Sequence, residues 1–563
     1  MKDEIVKLIS DEVGVFVEEV CNLVEVPSRD ELGDFAFPCF GLAGKLRKNP
    51  VVIAEDLVKK FRRKLPTGIS SVDSKGAYVN FFVDKKILAE RVLAGDGGRL
   101  SVVGGGKKRS WLVEYSQPNT HKAFHVGHIR GTSLGESLAR IFRACGDKVV
   151  QMNYSGDTGM HIAKWIWCYR KYHAGEKLKN DEAWIAGIYV EAVKKLGEDE
   201  ELQKQVDEIN VHIEKKDDKE INNLWKKTRA ASVKSWDRIY SELGAHFDVS
   251  LFESEFEESA RVKVLELLKK GIAKKDDAVF MDLKEYNLGV WVLLRKDGTV
   301  LYSAKDIALA LKKFKEFKSD NYLVIVGNEQ EMHFKQLVKT LELMGLESEA
   351  ASYGVLPFGM VRFPEGKMSS RTGNNILYSD FSAEVKEIAK KGLVKRGVGI
   401  RGVGVRELED RALKIAVASI KYSMLKQDAR RTMIFDPKSD VSFEGDTGAY
   451  LLYSYARAAS ILRKVGSRKS EVGSRKNFEG VEVRLLKKID SFGEVVVKAY
   501  ENLAPNLVAN YCFDLATLFN GFYHACPVLG SDEEGFRLAL VRKFKESLGE
   551  GLDLLGIETL EEM

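Results

Sequence analysis

The sequence predicts a mixed α/β and all-α protein, in which a doubly wound parallel sheet with a helical insertion lies between a small α+β domain and a helical bundle. Three observations carry this. A strand, turn, helix and strand follow one another from Trp111 to Tyr154, the succession of a parallel βαβ unit. A second succession starts at YLVIVG (Tyr322–Gly327) and leads into a helix through His333 and Leu337. From Glu384 onward, apolar residues recur almost throughout at three- and four-residue spacing.

Composition is permissive. With 44% apolar and 30% charged residues, the 563-residue chain is an ordinary globular protein with room for several domains. Six cysteines (Cys21, Cys39, Cys145, Cys168, Cys512, Cys526) are scattered without a Cys-x-x-Cys pair, which points to reduced thiols and away from a zinc–cysteine site. The opening MKDEIVKLIS spreads charge where a secretory signal has an apolar core, and no run approaches the roughly 18 apolar residues of a membrane span. A cytoplasmic protein without membrane attachment is expected. The 88 basic and 83 acidic residues give a net charge of +5. Such a balance neither announces nor excludes a nucleic-acid partner, because phosphate contacts need only local basic surface.

In chain order, residues to about Val92 read as a small mixed unit, with helical patterns at Lys2–Val20 and Pro50–Lys64 and an alternating strand at Ala77–Val83. Gly95–Lys108, which holds GDGG and GGGKK, reads as a linker. WLVEY (Trp111–Tyr115) is a strand stopped by Pro118. Beyond it, Leu134, Leu138, Ile141, Phe142 and Cys145 share one helical face, and KVVQMNY (Lys148–Tyr154) is the next strand. Ala163–Ser241 is charged, helical and tryptophan-bearing, as an insertion between two halves of a split nucleotide-binding fold would be. In such Rossmann-like sheets ligands lie outside the carboxyl ends of the strands. Further helices are expected at Ala412–Leu425, Tyr450–Arg463, Val481–Leu503, Leu507–Ala525 and Arg537–Leu548. Two short duplications, RGVGIRGVGV (396–405) and VGSRK (465–469 and 472–476), read as basic loops.

Chemistry concentrates first in the run Pro118, Asn119, Thr120, His121, Lys122, Ala123, Phe124, His125, Val126, Gly127 and His128, which holds three of the nine histidines. The H-x-G-H piece falls where a strand gives way to a helix. A helix start presents free N–H groups and partial positive charge, which favour phosphate. Gly127 permits close backbone approach to a nucleotide, and His125 and His128 can donate hydrogen bonds to phosphate oxygens. Two histidines three residues apart could equally bind a metal or cap the helix. Zinc is disfavoured by the absence of a cysteine or acidic third ligand nearby in sequence.

A second element, GKMSSRTGN (Gly366–Asn374), follows the strand-like VLPFGMVRF and combines glycine, basic and hydroxyl residues. It could fold over a triphosphate, with Lys367 and Arg371 meeting pyrophosphate charge beside Met368, Ser369 and Ser370, or it could be an exposed basic turn. The two elements together, in this order and in separate halves of the fold, resemble the HIGH and KMSKS signatures of class I aminoacyl-tRNA synthetases.

The resemblance narrows to the arginyl-tRNA synthetases and extends over nearly the whole chain. VEYSQPNTHKAFHVGHIRGT, NYSGDTGMH (Asn153–His161), YSAKDIALAL (Tyr302–Leu311) and FEGDTGAYLLYSYARAASILRK (Phe443–Lys464) are similar to segments of that family, as are GDFAFPCFGLA and AYVNFFV near the start. It implies a tRNA-binding domain at 1–93, a catalytic domain at 108–383 with its insertion at about 163–241, a connecting helical region at 384–440 and an anticodon-binding helical domain at 441–563. It also implies ATP, with Mg2+, as a substrate, arginine and its tRNA as partners, no tightly bound cofactor, no resident metal and a monomer. Activation that depends on tRNA is expected.

A guanidinium is permanently charged and planar, so its pocket needs carboxylates. Tyr302 and Asp306, four residues apart, share a helical face; on their own they read as an ordinary hydrogen-bonded pair on a surface helix, and it is the resemblance that assigns them to the arginine side chain. It likewise assigns Glu114, Asn119, Glu253 and Gln330 to arginine, with Asn119 and Gln330 at its backbone end. The general class I loop has a second lysine where this chain has Ser370, and the resemblance gives that charge to Lys122. Tyr453, Tyr455 and Arg457 are expected to meet the anticodon, although YLLYSYARAASIL reads equally as a buried packing helix, and Asn80 and Phe82 are expected to meet the outer corner of the tRNA. The alternatives are a class I synthetase for another amino acid, a simpler nucleotidyltransferase, or a catalytically silent tRNA-binding paralogue.

Overall fold

A computed structural model describes residues 1–27, 29–95, 108–199, 201–364, 376–397, 404–466 and 477–563. It divides into two compact units. One comprises Met1–Arg99, Ser467–Ser491 and Leu518–Phe544, and the other Leu100–Gly466, Phe492–Thr517 and Lys545–Met563. The helical stretch expected at 441–563 therefore contributes residues to both.

The larger unit is built on five strands: β1 (Ser110–Glu114), β2 (Lys148–Ser155), β3 (Val249–Phe252), β4 (Asn321–Gly327) and β5 (Tyr353–Phe358). Their order is β5-β4-β1-β2-β3 and every pairing is parallel. This is the doubly wound arrangement, in which the strand order reverses between β1 and β4 and opens a crevice at their carboxyl ends. The signature helix, Val126–Ala144, packs against the sheet through the apolar face read from the sequence: Leu134, Leu138, Ile141 and Phe142 are no more than 1% exposed. Gly135 makes this close approach possible. A Cβ there would stand 2.1 Å from the Tyr115 ring, so any side chain would push helix and strand apart.

The insertion forms four helices, Met160–Tyr172, Glu182–Glu198, Leu202–Lys215 and Lys219–Leu243, around a core of its own that includes Trp165, Trp167, Ile188 and Trp225. The sequence reading did not anticipate a small antiparallel sheet of Lys274–Lys275, Val279–Asp282 and Val290–Leu294. Its last strand alternates exposed Val290 and Val292 with buried Trp291 and Leu293, and so points Trp291 at the next helical layer.

In the smaller unit, Phe35–Pro38, Tyr78–Val83 and Ile69–Lys75 form an antiparallel sheet with Tyr78–Val83 at its centre. The single helical pattern read at Lys2–Val20 is broken into Lys2–Val13 and Val17–Leu23, because Gly14 takes the left-handed conformation that ends a helix. Similarly, Val481–Leu503 is two helices, Gly480–Asp490 and Phe492–Glu501. The expected linker, except for Gly95 and Lys108, and most of the two duplicated basic segments lie outside the described residues.

Candidate active site

The turn between β1 and the signature helix is unusual backbone. Ser116, Gln117 and His121 all have positive φ, at 75°, 51° and 63°, a conformation that non-glycine residues adopt at a cost. His121 is wholly buried. Its ring lies within hydrogen-bonding distance of Thr228 Oγ1 (2.8 Å) and Thr120 Oγ1 (3.0 Å), and its backbone N–H donates to Ser232 Oγ (2.9 Å). The first of the three histidines thus ties the turn to the insertion and does not face the cleft.

His125 and His128 face it, and their geometry settles which nitrogens carry protons. His125 is the N-cap of the signature helix, and its Nδ1 accepts from Gly127 N–H at 3.2 Å. His128 Nδ1 accepts from His125 N–H at 3.1 Å, closing a capping box. Both Nδ1 atoms are therefore acceptors, so in each neutral ring Nε2 bears the hydrogen. The rings stack with centroids 3.8 Å apart. Burial, with a contribution from Lys122, pushes the His125 ring down to about 4; burial, then His125 and Lys122, holds His128 well below its ordinary value. Helix capping, one of the simpler readings of the motif, is thus realised. It also orients two neutral N–H donors. Gly127 is confined by the same ring, since a Cβ there would lie 3.0 Å from His125 Cε1.

These rings line a cleft of about 1740 Å3 whose walls also include Glu114, Asn119, Tyr154, Gly156, Glu253, Tyr302, Asp306, Gln330 and His333. All six residues expected to hold arginine are thus on one cavity with His125 and His128. Tyr302 begins the helix Tyr302–Phe317, exposed to the cleft, and Asp306 lies one turn on. Asp306 Oδ2 is 2.6 Å from His333 Nε2. Trp291 Nε1 donates to His333 Nδ1 at 3.2 Å, so the Nε2 hydrogen points at Asp306 and the ring is a neutral donor to the carboxylate.

Glu253 is half-buried at the end of β3. It accepts from Thr158 Oγ1 (3.2 Å) and lies 3.5 Å from the buried Lys305 ammonium; burial raises the pKa of its carboxyl and outweighs the lowering by that ion pair. Glu114 differs from expectation. It is 2% exposed, forms an ion pair with the fully buried Lys313 and accepts from Gln117 Nε2 at 2.8 Å. Its charge is already compensated within the protein.

Two residues in NYSGDTGMH escaped individual notice in the sequence. The Tyr154 hydroxyl is buried without a hydrogen-bond partner, in the field of Asp306, Glu253 and Glu114. An orphaned buried hydroxyl of this kind needs an explanation. At Gly156, a Cβ would fall 2.2 Å from Asn119 Oδ1 and 3.2 Å from Glu253 Oε1. A glycine at the carboxyl end of a strand in a doubly wound sheet was the signal available. Arg130, buried within the signature helix, also went unremarked. It donates to Gly359 O (2.6 Å) and Asp428 O (3.3 Å), fixing the helix to the chain beyond β5.

Lys122 is not among the described residues lining the cleft, but its charge acts on His125, His128 and Glu253, which are. Its ammonium lies 5.6 Å from the centroid of the Tyr189 ring, and burial and Lys164 lower its pKa. Lys367, Met368, Ser369, Ser370 and Arg371 lie outside the described residues. Among the expected tRNA contacts, Asn80 is 5% exposed in the central strand of its sheet, whereas Phe82 is half-buried. Tyr455 is also buried, its hydroxyl donating to Glu561 Oε1 (3.3 Å) and its ring beneath Lys545, because the helix Gly448–Val465 turns that face inward. Tyr453 and Arg457 stay together nearer the surface, Arg457 Nη2 donating to Tyr453 Oη at 2.8 Å.

One group of possible metal ligands occurs among the described residues: Cys168, His173 and Glu191 bring ligand atoms within 4.8 Å of one another. Both ring nitrogens of His173 are already engaged by carboxylates, Glu176 at 2.6 Å and Glu191 at 2.9 Å, and Cys168 belongs to the aromatic core of the insertion. Among the described residues, no helix is long and apolar enough to cross a membrane.

The chain is similar to known proteins over its whole length. Residues 92–436 match the family described as tRNA synthetases class I (R), catalytic domain; residues 451–563 match the DALR anticodon binding domain, and residues 1–83 the arginyl tRNA synthetase N terminal domain. An arginine–tRNA ligase of Clostridium acetobutylicum is 36% identical, and one of Clostridium botulinum (strain Alaska E43) 35% identical, each over 100% of both chains. The solved structure of the Thermus thermophilus arginyl-tRNA synthetase is similar with a TM-score of 0.82 at 26% identity, covering 100% of this chain and 99% of that one.

Proposed function

The chain belongs to the arginyl-tRNA synthetase family and is an arginine–tRNA ligase, and from that premise we propose how its cleft divides the work. ATP is a substrate, entering as its magnesium complex. An oxygen of the arginine carboxylate attacks the α-phosphorus; a P–O bond forms, the bond to the β-phosphate breaks and pyrophosphate leaves. This step needs positioning and charge stabilisation more than covalent help. The Nε2–H groups of His125 and His128 and the start of the signature helix meet the phosphate charge. Lys367 and Arg371, with Met368, Ser369 and Ser370, serve the leaving pyrophosphate, and Lys122 supplies the charge that Ser370 lacks.

At the other end of the cavity, Asp306 takes the guanidinium with Tyr302 and Glu253, while Asn119 and Gln330 hold the amino-acid end. The Tyr154 hydroxyl completes the pocket as an acceptor for a guanidinium N–H. In the second step the 2′-hydroxyl of the terminal adenosine attacks the arginyl carbonyl, and AMP leaves. Phe82 serves the outer corner of the tRNA, and Tyr453 with Arg457 serves the anticodon. The enzyme acts as a cytoplasmic monomer and activates arginine only with tRNA present.

The observation that carries this reading is that Asp306 and the two histidine rings line one cleft at the carboxyl ends of β1 and β4. The test is ATP–pyrophosphate exchange with each amino acid in turn, with and without tRNA for arginine. Exchange with arginine alone among the amino acids, and only with tRNA, is expected. Equal exchange without tRNA would overturn the coupling, and exchange with another amino acid would overturn the pocket assignment.

A further inference from the structure

The carboxylate of Glu182 reaches out of the insertion into the active-site turn. Glu182 is the first residue of the helix Glu182–Glu198 and is 7% exposed. Its Oε1 accepts from the backbone N–H of Phe124 at 3.1 Å and of Tyr378 at 3.3 Å, and its Oε2 accepts from Ser379 N–H at 3.2 Å. One side chain thus joins three parts of the chain: the residue just before His125, the first turn of the helix Tyr378–Lys395, and the insertion.

The same neighbourhood is bonded a second way. Tyr378 N–H also donates to Phe124 O at 2.9 Å, and His125 and Leu377 form an antiparallel bridge. The Phe124 ring backs the His128 ring, with centroids 5.1 Å apart. Moving the Phe124 backbone would therefore move both histidines. The helix Tyr378–Lys395 has Leu377 at its N-cap, which offers no side-chain acceptor, so its first N–H groups depend on a partner from elsewhere. A buried carboxylate is costly unless its oxygens are satisfied; here three backbone donors offset part of that cost, and burial still raises the carboxyl to about 7.

We propose that Glu182 is a positioning residue for adenylate formation, a brace from the helical insertion that fixes His125 and His128 through the Phe124 and Tyr378–Ser379 backbones. The inference rests on the proposed roles of those two histidines. Glu182 touches neither substrate in this account. Its effect is on the rate of the chemical step, because a displacement of about 1 Å in such a site costs on the order of a hundredfold.

The test compares Glu182→Ala, Glu182→Gln, Asp181→Ala and His128→Ala in ATP–pyrophosphate exchange with arginine and tRNA, with Tm measured for each. Asp181 caps the same helix, its Oδ1 accepting from Trp184 N–H at 2.8 Å, but makes none of the three bonds, so it separates helix stability from positioning. Glu182→Ala is expected to lower kcat roughly 10- to 100-fold, with KM for arginine within about twofold of wild type. Glutamine keeps one acceptor oxygen, so Glu182→Gln should fall between that variant and wild type. It also remains informative if the alanine variant does not fold. Asp181→Ala should lower Tm and leave kcat unchanged. A wild-type kcat for Glu182→Gln, or an equal kcat loss in Asp181→Ala, overturns the inference. If His128→Ala retains full activity, the reading of the histidines fails instead.

Discussion

His333 donates from Nε2 to Asp306 Oδ2 across 2.6 Å, because Trp291 occupies the other ring nitrogen. Asp306 is thereby held in place by a neutral partner and keeps its negative charge for a ligand, unlike Glu114, which is paired with Lys313. Replacing Asp306 by asparagine should raise KM for arginine by about two to three orders of magnitude, the usual cost of removing one member of a buried charged pair. KM for ATP should change little. Steady-state exchange kinetics check this, and a shift confined to ATP would contradict it.

The two capping histidines present Nε2–H donors without carrying charge. His128→Ala should lower kcat for adenylate formation about 100- to 1000-fold, the range seen when one preorganised donor is lost. The Tm should also drop, since His125 N–H loses its acceptor. Single-turnover formation of arginyl-adenylate measures the first effect and differential scanning calorimetry the second.

Gly156 separates the arginine pocket's geometry from its charge. Alanine there would place a methyl group 2.2 Å from Asn119 Oδ1 and 3.2 Å from Glu253 Oε1, so both side chains must shift. Gly156→Ala should raise KM for arginine at least about tenfold while leaving secondary structure intact. Circular dichroism with exchange kinetics tests this, and unchanged kinetics would sink it.

Stability should weaken in mild acid. Burial lowers the pKa of His121 to about 3, of His125 to about 4, and of His128 and His161 well below the usual value. In the unfolded chain these rings bind protons below about pH 6.5, while the folded protein keeps them neutral. The unfolded state therefore takes up more protons as pH falls, and each such ring removes about 1.4 kcal/mol of stability per pH unit between 6.5 and its folded value. Tm measured from pH 7.5 to 5 should decline with the steepest fall below 6.5. Burial raises the carboxyl of Glu182 to about 7 and also raises those of Glu253, Glu257 and Asp490. These bind protons first in the folded state and offset part of the decline, so a Tm that rises from pH 7.5 to 5 would count against buried, neutral histidines.

Much of this site was legible before any coordinates. H-x-G-H after a strand marked the helix start, and the pair Tyr302 and Asp306 fell on one helical face because four residues make about one turn. Other features depend on contacts between distant segments. Nothing local in the sequence says that Lys313 neutralises Glu114 across 199 positions, or that Trp291 fixes the tautomer of His333. Asn80 and Tyr455 failed as surface residues for a related reason: a strand or helix pattern gives the alternation of faces but not which face a neighbouring layer covers. The short strands at 274–294 were missed because two to five residues carry too little periodicity to register.

The most direct test of the account sets arginine against citrulline, which has the same shape but a neutral urea in place of the guanidinium. Wild-type enzyme, with tRNA and ATP, should prefer arginine in kcat/KM by at least about a hundredfold, and Asp306→Asn should erase most of that preference by losing activity with arginine while keeping its residual activity with citrulline. Comparable activation of both amino acids by the wild type, or full discrimination surviving in Asp306→Asn, would contradict a pocket in which Asp306 carries most of the selectivity.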